Sequence, residues 1–305
     1  MAQKRFVENP LALCSLFWKE DWSFDKQGFS ENVEALLARK KFVPYICCTA
    51  GEGYALSHKN YAEVVKTFAD LTRGYDLPVV AGVISTSLQE MHERVELAVE
   101  AGITNIMFPL PSWGVLSPAE VDSFIDHFLS AHPNCNFIHY NNSDRSRIRL
   151  YAADYARIVE KHPNFVAVKQ CYATQVDPIM MAQMDLPLVE YYLEYMYTVA
   201  CLYGTPSLLP STLCCNYDVA LEYYEAGRRK DFATLTKIDE QILRAGQALG
   251  ETLPGGRIDG AYDKCFDRLH NDKLSQRLYP PYQAPTDEEF ERFAALVKER
   301  VPEWF

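Results

Sequence analysis

Short apolar runs alternate with amphipathic stretches along most of the chain. Eight runs have the length of strands, at 12–17, 43–48, 78–83, 104–108, 135–140, 164–169, 187–192 and 205–210. Their apolar residues are nearly continuous, the pattern of strands covered on both faces. The segments between them carry helix-start signals. Ser87 stands three residues before Glu90, and Ser117 is followed by Pro118 and then Glu120, a capping box with proline at the first helical position. Strand–helix alternation repeated eight times predicts an α/β fold, a (β/α)8 TIM barrel. An open doubly wound sheet would instead show a glycine-rich phosphate turn after the first strand, and the sequence has none there. After about residue 228 the strand pattern stops. Residues 231–250 and 286–301 read as helices, the second opened by a capping box of Thr286 and Glu289. The expected division is a barrel over 1–229 and a C-terminal helical segment over 230–305 packed on it, with no repeat or low-complexity linker between them.

Composition narrows the partners. Of 305 residues 48% are hydrophobic and 23% charged, enough apolar material for a full core, and the formal net charge is −11. An acidic surface repels phosphate backbones and anionic lipid, so neither nucleic acid nor membrane is an expected partner. No run of about 18 apolar residues suggests a membrane span, and "MAQKRFVENP" lacks the apolar core of a signal peptide. Nine cysteines include the adjacent pairs Cys47-Cys48 and Cys214-Cys215, which make poor disulfide partners for each other. They read as reduced, buried thiols of a cytoplasmic protein. There is no C-x-x-C, and His127 and His132 lie five apart, off the usual ligand spacing, so no metal is expected.

In a barrel of this kind chemistry sits at the C-terminal ends of the strands. The run "NFVAVK" (164–169) ends in Lys169, a cation closing a buried strand. Burial drives an ammonium toward the neutral amine, and a neutral amine attacks a ketone to form a Schiff base. The iminium then acts as an electron sink for cleavage of a C–C bond or loss of water beside it. The alternative is a lysine that extends its head to the barrel mouth. Schiff-base chemistry needs a proton shuttle, and Tyr140 ends the preceding strand, 29 residues earlier. The turn after the second strand, "CTAGEG", supplies backbone N–H groups, the Thr49 hydroxyl, Ala50, and Gly51 for close approach, a setting for the carboxylate of a 2-oxo acid.

These pieces, with "PVVAGVISTSLQEMHERVELAVEAGITNIMFPLP" (78–111), "HYNNSDRS" (139–146) and "YPPYQAPTDEEFE" late in the chain, resemble the dihydrodipicolinate synthase/N-acetylneuraminate lyase superfamily of class I aldolases. The resemblance implies Lys169 as the Schiff-base lysine and Tyr140 as the proton-transfer tyrosine. Thr49 and the backbone at Ala50 would hold the carboxylate of pyruvate or of a longer 2-oxo acid. It implies an aldehyde as the other small molecule, no cofactor, and a homo-oligomer, tetramer or dimer. Arg145 matches the arginine that binds a second carboxylate in the synthases, and Leu208 joins the substrate-facing set. The chain departs from the pattern at several places. Ala50 replaces a hydroxyl residue, Trp113 stands where many members have a tyrosine donated across a subunit interface, Ser143 replaces a proline, and Tyr191-Tyr192 replaces a Gly-Asp pair. Trp113 together with Ala50 resembles the hydratase-aldolases that act on arylidene-pyruvates; Tyr172, Tyr191, Tyr192 and Tyr195 could add aromatic surface for a flat tail, but in a chain with 19 tyrosines packing is the favoured reading of these four. A 2-keto-3-deoxy sugar-acid aldolase or dehydratase is equally open, and a synthase-like condensing enzyme and a lapsed barrel that only binds a 2-oxo acid are the alternatives.

Overall fold

A computed structural model describes residues 2–253 and 255–305. Eight parallel strands run in sequence order: β1 (Leu11–Leu13), β2 (Val43–Ile46), β3 (Val80–Gly82), β4 (Asn105–Phe108), β5 (Asn136–Asn142), β6 (Phe165–Cys171), β7 (Val189–Leu193) and β8 (Ser207–Leu209). Each pairs with the next, and β8 returns beside β1, so the sheet is a nearly closed barrel. The Ser207 hydroxyl helps to hold that seam by donating to the carbonyls of Glu8 and Asn9, at 2.8 and 3.0 Å. The connections are α1 (Lys26–Leu37), α2 (His58–Leu71), α3 (Leu88–Glu100), α4 (Pro118–Ala131), α5 (Ser143–Ser146), α6 (Ala152–Lys161), α7 (Val176–Met184) and α8 (Glu194–Tyr203). After the last strand come α9 (Tyr217–Arg229), α10 (Phe232–Thr252), α11 (Asp259–His270) and α12 (Asp287–Arg300). The TIM-barrel expectation therefore stands, as do the caps. Ser117 and Thr286 form complete capping boxes, whereas Ser87 caps α3 while the Glu90 side chain turns away to Ser85 and Arg94.

Period-two alternation sorts the strand residues into two cores. Leu13, Tyr45, Met107, Ile138, Tyr140, Ala167, Tyr191 and Leu209 belong to the barrel interior. Ala12, Ile46, Ile106, Phe108, Phe137, Val168 and Leu208 belong to the core between the sheet and its helices. Several strands are shorter than the apolar runs that predicted them. Beyond one last bond from the Cys14 N–H to the Tyr45 carbonyl, residues 15–17 are buried outside the strand, and Trp18 bridges back to Phe24. Apolar character reports burial, and loops packed against the barrel rim are buried too. Strands β5 and β6 run longer than expected and carry polar residues at their ends, which brings side chains with chemistry to the mouth of the barrel.

A candidate active site at the mouth of the barrel

Neighbouring strands set the first pair. In the β5–β6 register Tyr140 lies beside Lys169, and across β6–β7 Lys169 lies beside Tyr191. Lys169 is 3% exposed, and its Nζ donates to the Tyr45 hydroxyl at 3.0 Å. The same nitrogen sits 4.1 Å from the centre of the Tyr140 ring and 4.6 Å from that of Tyr45. Tyr45 carries no sequence signal beyond being an aromatic at an inward position of β2. Burial pushes both phenols well above the usual tyrosine range, so both remain protonated donors near neutrality.

The Tyr140 hydroxyl links three elements. It donates to Thr49 Oγ1 at 3.2 Å and accepts from Asn142 Nδ2 at 2.9 Å. Thr49 is carried by the tight turn after β2. There Cys47 and Glu52 adopt left-handed φ angles of 59° and 51°. Gly53 is required by the close approach of the chain to itself, since a Cβ there would stand 2.2 Å from the Cys47 carbonyl oxygen. Non-glycine residues in that region store strain, and here the strain accompanies a turn that aims Thr49 and Ala50 at the strand ends. Gly51 is buried inside the turn, where a Cβ would meet Leu13 and the Cys47 nitrogen at 3.0 and 3.2 Å.

A cavity of about 420 Å³ opens above these groups. Its floor is Lys169, Tyr140, Tyr45 and Ala50, and its rim is polar, with Asp144 and Arg145 on α5 and Arg257, Asp259 and Asp263 from the C-terminal segment. Arg145 Nη2 donates to Asp259 Oδ1 at 2.9 Å across the rim. Arg257 is held by both carboxylate oxygens of Glu289, at 2.7 and 2.9 Å. The C-terminal helix α11 thus supplies part of the wall, a contribution absent from the sequence reading.

That helix is fixed from below. Lys264, fully buried, donates to the equally buried carboxylate of Glu52 and to the Arg277 carbonyl. Glu52 also accepts from the Trp18 indole at 3.0 Å and from the Tyr279 backbone N–H at 2.7 Å. The Gly-Glu of the β2 turn is therefore the anchor of α11 as well as a neighbour of Thr49.

Some expected site residues lie elsewhere. Leu208 faces outward into the sheet–helix core, and Leu209 lines the cavity in its place, because the eighth strand presents its odd-numbered residue inward. Trp113 is 87% exposed on the loop after β4, where its carbonyl accepts from Arg147 Nη2 at 2.8 Å, and it is not part of the cavity wall. Of the four tyrosines weighed as aromatic surface against packing, only Tyr172 reaches the cavity, turned there by a φ of 57°. Tyr191 is buried in the barrel interior with its hydroxyl on the Val7 carbonyl, Tyr192 points outward onto Glu190, and Tyr195 is exposed on α8. Among the described residues no group of three or more His, Cys, Asp or Glu side chains is arranged to hold a metal ion.

Comparison with known proteins agrees with this barrel fold. The profile of the dihydrodipicolinate synthetase family matches residues 11–246. A 4-hydroxy-tetrahydrodipicolinate synthase from Rhodospirillum centenum is 25% identical over 279 residues, covering 86% of this chain and 89% of that protein. A probable 5-dehydro-4-deoxyglucarate dehydratase from Acinetobacter baumannii is 24% identical over 307 residues, covering 93% and 92%. A prophage protein of the dihydrodipicolinic acid synthase family from E. coli K12, solved in complex with pyruvate, superposes with a TM-score of 0.85 at 16% identity, over 96% of this chain and 98% of that one.

Proposed function

This chain belongs to the dihydrodipicolinate synthetase family and is a class I aldolase-type lyase, and from that premise we propose that Lys169 is its Schiff-base nucleophile and Tyr140 its proton carrier. The observation that carries the reading is the Lys169 amino group buried at the cavity floor against the Tyr140 ring, with the Tyr140 hydroxyl already on Thr49. Lys169 attacks C2 of a 2-oxo acid. Tyr140 hands a proton to the departing carbinolamine hydroxyl, which leaves as water and gives the iminium. The substrate carboxylate lies by the turn that bears Thr49 and Ala50.

The polar rim supports a hydroxylated or carboxylated tail rather than an aryl one. Arg145, held by a single exposed ion pair to Asp259, exchanges that partner for a tail carboxylate at little cost. The named dehydratase relative, similar over nearly the whole chain, fits the same choice. Nine free, buried thiols fit a reducing, cytoplasmic setting. The exposed Trp113, Val115 and Tyr151 fit a contact face of a homo-oligomer, a dimer or tetramer, which light scattering would size.

The test is reductive trapping. The protein is incubated with pyruvate, treated with borohydride and digested, and the peptides are weighed. A reduced pyruvyl adduct on Lys169 is expected. Folded protein that gives no adduct with pyruvate or with a polar-tailed 2-oxo acid would overturn the reading.

A further inference from the structure

Among the carboxyl groups of the cavity wall, one is left unused by the chemistry of Lys169 and Tyr140 and is held in place from two sides. Asp263 projects from α11 into the cavity wall, is 8% exposed, and accepts a hydrogen bond from the Ser211 hydroxyl at 2.7 Å. Ser211 follows β8 and is held in turn, since its backbone N–H donates to the buried carboxylate of Glu194 at 2.7 Å, as does that of Leu213 at 3.0 Å. The next residue of α11 is Lys264, locked to Glu52. Asp263 is therefore fixed from both sides, by the β8 loop and by the β2 turn. A carboxyl group left to chance in a cavity wall would have neither constraint. No arginine or lysine pairs with Asp263 among the described residues, although Arg145 and Arg257 stand in the same cavity with their own carboxylates.

We propose that Asp263 is the acid that protonates a hydroxyl leaving from C4 of the substrate, which makes the preferred substrate a 2-oxo acid with a hydroxyl at C4 and the reaction a loss of water. This rests on the Schiff-base reading of Lys169. The steps balance without an oxidant or reductant. Formation of the iminium leaves the Tyr140 oxygen one proton short. That oxygen takes a proton from C3, and the C3–H pair becomes the enamine. The enamine pair then forms the C3–C4 double bond as the C4–O bond breaks, and the Asp263 carboxyl gives its proton to the departing oxygen, which leaves as water. Solvent at the mouth returns a proton to Asp263, and hydrolysis of the unsaturated iminium frees Lys169.

The electrostatics of the wall suit an acid. Burial pushes the Asp263 carboxyl up to about 7, the Ser211 hydrogen bond pulls it down, and Asp259 and Asp267 on its own helix and Glu194 on α8 push it up. Tyr45 on β2 and Cys214 beyond β8 also feel its charge. A proton held to that pH is available in the neutral range.

The probe is 4-hydroxy-2-oxoglutarate, a 2-oxo acid with a C4 hydroxyl and a second carboxylate. Water loss is followed by the absorbance of the conjugated product, and imine formation by borohydride trapping on Lys169. Asp263→Asn is expected to lower the rate of water loss by ~10²-fold or more, the scale of a lost general acid, while trapping persists. In the wild type the rate falls as pH rises through about 7. Ser211→Ala removes a bond that favours the carboxylate, so that descending limb moves to higher pH, a shift that a merely structural serine would not produce. This variant decides the matter if Asp263→Asn does not fold. A wild-type protein that traps the probe but removes no water from it, an Asp263→Asn variant with the wild-type rate, or an unshifted limb in Ser211→Ala would each overturn the proposal. Absence of trapping in the wild type would overturn the Schiff-base reading beneath it.

Discussion

The chain buries two lysines about equally well and treats them in opposite ways. Lys264 is surrounded by charge and carbonyl oxygen: Glu52, itself fully buried, and the Arg277 carbonyl accept its hydrogen bonds, and Trp18 and Tyr279 also donate to Glu52. Lys169 has a phenol oxygen, two aromatic faces and an open cavity. A buried ion pair held by further hydrogen bonds is a bolt, and removing one half strands the other charge in a low dielectric. A buried amine without a carboxylate beside it is costly to keep and stays accessible to a ligand, a combination that stability alone does not require. The two sites are joined through the turn after β2, which carries Thr49 toward Tyr140 and Glu52 toward Lys264.

The comparison predicts that the two lysines fail differently. Lys169→Ala is expected to abolish turnover and borohydride trapping while the circular dichroism spectrum and melting temperature stay near wild type. A variant that lost its fold instead would put Lys169 in the same class as Lys264. Tyr140→Phe should lower kcat by ~10²–10⁴-fold, the range for a lost proton carrier, with the imine still trapped. Unchanged turnover would remove Tyr140 from the mechanism.

Lys264→Met should act on stability first. It leaves the Glu52 carboxylate buried and unpaired, at a cost of about 3–5 kcal/mol read from denaturant unfolding. Replacing both members, as Lys264→Met with Glu52→Leu, should recover much of that loss, because an apolar pair of similar volume needs no counter-charge. If the double variant were as unstable as the single one, the pair would owe its value to the Trp18 and Tyr279 hydrogen bonds rather than to charge.

How much of this was legible depended on sequence distance and on the face of the strand. Lys169 and Tyr140 were readable because adjacent parallel strands end side by side, and their register pairing follows from one strand–helix–strand unit. The Glu52–Lys264 pair joins residues 212 apart through a helix that folds back over the barrel mouth. Nothing in local periodicity says where that helix lands, so Asp263 was equally invisible. Tyr45 looked like any apolar strand residue, since an inward aromatic has the same pattern whether it packs or hydrogen-bonds a lysine. Leu208 faces outward rather than toward substrate because a one-residue shift in a three-residue strand reverses the side-chain direction. The tyrosines at 191 and 192 illustrate the same alternation, one in the barrel interior and the other in an outward cluster with Ala173, Met196 and Ala200, so these adjacent aromatics do not face one ligand.

The smallest expected effect is the most discriminating, because it tests what holds Lys169. Were Tyr45 to Lys169 what Glu52 is to Lys264, Tyr45→Phe would cost as much as Lys264→Met. Instead the variant removes one hydroxyl acceptor and keeps the ring whose centre lies 4.6 Å from Nζ, and the cavity allows water to reach the amine. The expected loss is therefore that of a single hydrogen bond, about 1 kcal/mol, with trapping on Lys169 retained. A turnover defect as large as that of Tyr140→Phe would make Tyr45 part of the proton path rather than a support. A stability loss on the scale of Lys264→Met would mean that the amine is held as tightly as the bolt and that its openness to ligand is only geometric.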